Sequence, residues 1–126
     1  MTYCLDSWAV MAWLDGEEPS AARVHRALRR RPVMSWINLG EVAYVLERRS
    51  GQAPARDAIR RLRPSLDLEL PSERRVLEAA ALKARHRFAY ADAFAVATAL
   101  AHRATLMTGD PEIIRADPAW PVLDLR

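Results

Sequence analysis

The chain has 126 residues, 51% of them hydrophobic, and a formal net charge of +3. That length suits a single domain over residues 1–126 that buries most of its apolar surface without a disulfide or a structural metal, and the composition excludes a disordered tail. One cysteine, Cys4, leaves no disulfide framework, so the expected setting is a reducing compartment, the cytoplasm.

The opening residues MTYCLDSWAVMAWLDGEE lack a basic segment and carry Asp6 early, against a secretion signal. No run of about 18 uncharged apolar residues offers a membrane span. Thr2 to Leu5 reads as a short strand, after which Ser7 can cap an apolar helix to about Leu14. Pro19 and Ser20 open a second helix that stops at the Arg29–Arg31 cluster before Pro32. Val33 to Trp36 reads as a second strand, and Asn38 as the cap of a helix running to Ser50 and Gly51. A shorter helix starts at Pro54 and finishes before Pro64. Leu66 to Leu70 alternates apolar and acidic residues, the two-residue period of a half-exposed strand. Ser72 caps a long helix to about His86, a further helix covers Tyr90 to His102, and Thr105 to Thr108 forms a fourth strand. Asp110, Pro111 and Glu112 make a standard helix entry, and Val122 to Leu125 reads as a last edge strand. Strands alternating with helices imply an α/β fold, a three-layer α/β/α sandwich on a mostly parallel central sheet.

The charges are segregated. Of 19 basic residues, 18 are arginine and one is Lys83, and the arginines cluster at 29–31, 48–49, 60–63, 74–75 and 85–87. Arginine's planar fork suits phosphate, so the clusters permit a polyanionic partner, while a solvated helix face is the plainer alternative. His25, His86 and His102 lie on helical stretches with no spacing that suits zinc.

Four acids stand apart from this basic supply. No Lys or Arg precedes Arg23, so Asp6 has no local partner. Glu41 is the only charged residue in VMSWINLGEVAYVL, and Asp92 the only one in FAYADAFAVATALA. Asp110 has another acid, Glu112, beside it. Each has a local explanation: Asp6 as a strand-end turn, Glu41 closing a capping box with Asn38, Asp92 at a helix N-terminus, Asp110 as an N-cap. Yet a carboxylate on an apolar face costs several kcal/mol without compensation. If the four converge, each pair ~4 Å apart repels by roughly 4 kcal/mol at an effective dielectric near 20. A divalent cation is the usual remedy, and hard oxygen donors select Mg²⁺ or Mn²⁺.

The segments LDSWAVMAWL with Asp6, INLGEVAYVL with Glu41, YADAFAVATAL with Asp92 and LMTGDPE with Asp110 resemble the PIN-domain ribonucleases, in particular VapC-type toxins of bacterial toxin–antitoxin pairs. The likeness spans nearly the whole chain, with the acids spaced by 35, 51 and 18 residues. It implies an acidic pocket binding Mg²⁺ or Mn²⁺, cleavage of RNA, a cognate antitoxin bound across the pocket, and a homodimer. Asp6, Glu41, Asp92 and Asp110 match the four acidic positions, with Thr108 and Ser7 as supporting hydroxyls. Gly109 stands where many relatives carry a basic residue.

The expected reaction is metal-assisted phosphodiester hydrolysis with Asp6 and Asp92 as the most direct ligands. Arginine clusters are expected at the pocket rim, and Trp8 or Trp13 as the wall of an antitoxin groove. Two alternatives stay open. Asp6 could be the covalent nucleophile of an aspartyl phosphatase, although Trp8 occupies the position where a second acid is usual. An arginine-rich, non-catalytic module binding RNA or an acidic partner is the other.

Overall fold

The structure, a computed structural model, describes residues 1–116 and 120–126. Five strands, β1 (Tyr3–Leu5), β2 (Val33–Ser35), β3 (Asp67–Glu69), β4 (Thr105–Thr108) and β5 (Val122–Asp124), form one sheet in the order β3-β2-β1-β4-β5. All four pairings are parallel. The first strand is therefore central, and the sheet grows away from it in both directions.

Helices α1 (Ser7–Leu14) and α2 (Ser20–Leu28) connect β1 to β2, and α3 (Trp36–Ser50) and α4 (Gln52–Leu62) connect β2 to β3. These pack on one face with Leu5, Met34 and Met107 of the sheet. The chain then returns across β1, and α5 (Glu73–Arg85), α6 (Tyr90–Ala101) and α7 (Pro111–Ile114) join Cys4 and Leu106 in the other core. Neighbouring residues of a strand point to opposite faces, so Cys4 and Leu5, or Leu106 and Met107, feed different cores. Right-handed crossovers impose the same division: reversing the direction of travel across the sheet moves the connecting helices to the other face. The result is the expected three-layer α/β/α sandwich.

The reversal happens between β1 and β4. In an open parallel sheet this is where a crevice forms at the carboxyl ends of the strands. Asp6 follows β1, and Gly109 and Asp110 follow β4. Among the described residues, no helix is long and apolar enough to cross a membrane.

Three expected boundaries shift. The cap of α1 is Asp6, which accepts the Ala9 N–H at 2.8 Å; Ser7 is already helical. Ser35 caps α3 by accepting from the Ile37 N–H, so β2 ends there and Asn38 lies inside the helix. Its amide instead donates to the Ala91 carbonyl at 2.9 Å, tying α3 to the first turn of α6. Helix α4 starts at Gln52, just past Gly51 with its φ of 94°, rather than at Pro54.

Candidate active site: an acidic cleft at the sheet crossover

Asp6 is 1% exposed and anchored at both oxygens. Oδ1 takes the Ala9 N–H, and Oδ2 takes the hydroxyl of Thr108 from the adjacent strand. The Thr108 oxygen in turn accepts the backbone N–H of Asp110 at 3.0 Å. Asp110 caps α7 by accepting the Glu112 N–H at 2.9 Å. Its local explanation is therefore true and incomplete, because the cap also fixes this acid beside Asp6.

Asp92 is 8% exposed in the first turn of α6, where it reaches back to the Ala89 N–H at 3.2 Å. The rest of α6 is an alanine-rich rod buried through Ala99, so the helix cannot rotate to release Asp92 to solvent without exposing its core face. Glu41 projects from α3, and its Oε1 accepts the Ser7 hydroxyl at 2.5 Å. The expected capping box between Asn38 and Glu41 does not form, because Ser35 holds the cap position. Ser7 and Thr108 thus each donate a hydrogen bond to one of the acids.

Glu41, Asp92 and Asp110 line a cleft of about 510 Å³, and Asp6 lies beneath it. Burial raises the Asp6 pKa to about 7; the Thr108 and Ala9 hydrogen bonds oppose this, while the charges of Asp92 and Asp110 add to it. Burial likewise raises Asp92 to about 6, with further increases from Asp110, Glu41 and Glu112. The acids therefore act on one another through space, and distant segments do meet. Among the described residues, none of the four is within salt-bridge distance of a basic side chain. Elsewhere arginines find acids readily, as in Arg61 with Asp57 and Arg75 with Glu69 and Glu78.

The donor set fits a hard divalent cation in chemistry: all oxygen, net negative, and without a protein counter-charge. It is not a finished coordination shell, since among the described residues no group of three acid, histidine or cysteine side chains is arranged to hold an ion. Waters and small side-chain shifts would complete it, the usual arrangement for Mg²⁺.

The family model of the PIN domain matches residues 3–118. The chain belongs to the PIN domain family. No curated protein matches. This PIN domain is similar to the VapBC2 structure of Rickettsia felis, bound to a promoter DNA fragment, with TM-score 0.79, 17% identity and full coverage of both chains. It is also similar to VapBC-1 of nontypeable Haemophilus influenzae, with TM-score 0.75 and 22% identity over 99% of this chain and 98% of the other. A third likeness is to Mycobacterium tuberculosis VapC20, described as a sarcin-ricin loop cleaving toxin, with TM-score 0.75 and 18% identity over 95% of this chain and 100% of the other. Identities this low establish the fold.

Sequence reasoning missed three features of this PIN domain. Asp15, Glu17 and Glu112 also line the cleft, deepening its negative field. Among the described residues, no arginine or lysine lines it; the arginines nearby stand at its margins. A separate depression sharing Glu112 is lined by Arg85, Arg87 and Arg115; on another side, Arg49 reaches Asp15, itself a lining residue, at 3.1 Å. Finally, the Trp8 indole fills the space where a side chain at Gly109 would begin. Trp13 does not share that position: it stacks on His25.

Proposed function

We propose that this protein is a divalent-metal-dependent endoribonuclease, the toxin of a VapBC-type pair, acting in the cytoplasm as one domain. The observation that supports the reading is the gathering of Glu41, Asp92 and Asp110 along one cleft, with Asp6 tied to Asp110 through Thr108 and, among the described residues, no basic partner for any of the four, in a PIN domain at the sheet crossover.

Asp6, Glu41, Asp92 and Asp110 would hold Mg²⁺ or Mn²⁺, three of them from the cleft lining and Asp6 from beneath it. Such a cation activates water and offsets charge on the attacked phosphate. The chain's own part is to pre-position. Thr108 locks the Asp6 carboxylate, Ser7 orients Glu41, and the Ala89 N–H fixes Asp92. One of these carboxylates takes the proton of the attacking water. Backbone phosphates beyond the cleft meet Arg85, Arg87 and Arg115. The acid-rich cleft also suits a cationic segment of an antitoxin, and exposed Leu70 and Leu77 support pairing of two copies.

The phosphatase alternative is weakened by geometry: an Asp6 carboxylate bonded at both oxygens and 1% exposed is badly disposed to attack phosphorus. A non-catalytic module gives no reason for four uncompensated acids. The test is cleavage of RNA with Mg²⁺ or Mn²⁺ by the parent, by Asp92→Asn and by Asp6→Asn. Loss in both variants, each still unfolding cooperatively, is the expected result, and undiminished cleavage in EDTA would reject the mechanism. A crystal soaked in Mn²⁺ should show anomalous density among the four acids.

A further inference from the structure

The cleft lining is mixed: Trp8 and Met11 of α1 and Val45 of α3 give it apolar surface, and Glu41 of the same α3, with Asp92 and Asp110, gives it acids. Trp8 is half-buried, with part of its ring packed against the core and the rest facing the cleft. Its position is set by a second residue. A Cβ built at Gly109 would lie 2.3 Å from the indole Cη2 and Cζ2 and 2.6 Å from Cε2, far inside contact distance. The missing side chain at Gly109 thus lets the ring lie directly against the turn that carries Asp110.

We propose that the exposed face of Trp8 is a nucleobase subsite, on which the base of a nucleotide adjoining the scissile phosphate stacks. This rests on the ribonuclease reading and assigns the part of the substrate that the acids do not bind. A phosphodiester brings an anion and a flat, neutral base joined by a sugar. The acids take the anion with its cation, leaving the base for the uncharged lining residues, among which Trp8 is aromatic. An indole fixed by Gly109 presents a flat aromatic surface at no further ordering cost, the arrangement that single-stranded nucleic acid sites use. A cleft of about 510 Å³ has room for a nucleoside beside hydrated ions, being within the roughly 300–1,000 Å³ of small-ligand sites. Stacking is tolerant of base identity, so the subsite contributes affinity and register more than a sequence code.

The test uses a short single-stranded RNA cleaved by the parent at one mapped bond, and copies with an abasic residue at each position flanking that bond. Binding is measured with Asp92→Asn protein and cleavage with otherwise unmutated protein. At one flanking position the abasic copy should bind and react roughly 5- to 100-fold less well. Trp8→Leu should lose that discrimination, treating base and abasic copies alike, while Trp8→Phe should keep most of it. Gly109→Ala, which drives the ring from its seat, should weaken discrimination in the parent and change nothing further in Trp8→Leu. Melting curves identify any variant that fails to fold, and Trp8→Phe with Gly109→Ala carries the test if Trp8→Leu is one. An abasic penalty unchanged in Trp8→Leu or in Gly109→Ala, or absent from the parent, overturns the subsite and leaves the indole to packing or to a protein partner. RNA neither bound nor cleaved would overturn the ribonuclease reading, and the subsite with it.

Discussion

The Thr108 hydroxyl donates to Asp6 from the neighbouring strand, and the same oxygen accepts the Asp110 N–H. One buried side chain therefore fixes two acids from distant parts of the sequence. Thr108→Val removes a donor from Asp6 and an acceptor from Asp110 with little change in shape. Leaving buried groups unpaired should cost roughly 1–3 kcal/mol, read as a lower denaturation midpoint, and RNA cleavage should fall with it. Thr108→Ser should recover most of both.

Stability should depend on pH in a direction set by the acids. Folding raises Asp6 from 3.8 to about 7 and Asp92 from 3.8 to about 6. The folded chain thus binds more protons than the unfolded chain across that window, so their contribution weakens as pH rises from about 4 through 7. In metal-free buffer the parent should melt lower at pH 8 than at pH 5. Asp92→Asn removes one of the two buried charges, so its melting temperature should vary less over that range and exceed the parent's at pH 8. A net gain of about 1 kcal/mol corresponds to roughly 4 °C for a chain of this size.

A cation should reverse that trend. Mg²⁺ or Mn²⁺ binds ionised carboxylates of the folded state, so either should raise the parent's melting temperature more at pH 8 than at pH 5. Asp92→Asn should lose most of the shift. Thermal melts with added metal or EDTA measure this without requiring RNA or activity.

The depression beside Glu112 should govern affinity for the RNA chain. Replacing Arg85, Arg87 or Arg115 with alanine should raise KM with little change in kcat. For a single strand, each lost phosphate contact should flatten the dependence of log affinity on log salt by roughly 0.7. Titrations across salt concentration test it. Arg74→Ala, remote from the cleft and beside Glu78 at 3.9 Å, serves as the control.

Much of this could be read from the sequence because its signals were local. Apolar runs ending at Asp6 and Thr108 located two strands, and a lone acid in an alanine-rich segment marked Asp92. What failed depended on neighbours distant in sequence or on backbone direction at a junction. Adjacent Asp6 and Ser7 could both cap a helix, and only the course of the chain leaving β1 selects Asp6. Asn38 resembles a cap, but its amide is committed to α6. The arginine clusters could be counted but not placed: among the described residues none lines the cleft, and Arg49 meets it only through Asp15. Nothing near Gly109 announces Trp8, because the two meet only through the sheet.

The central position of β1 has a consequence for synthesis. Asp6 is made well before its partner Thr108, which lies 102 positions later. A nascent chain can form β1, β2 and β3 on the ribosome while the crossover seam stays open on one side. The acid quartet is complete only when β4 leaves the exit tunnel and docks. A truncated or stalled product lacking that strand would leave Asp6 without its Thr108 hydrogen bond and the cleft without Asp110.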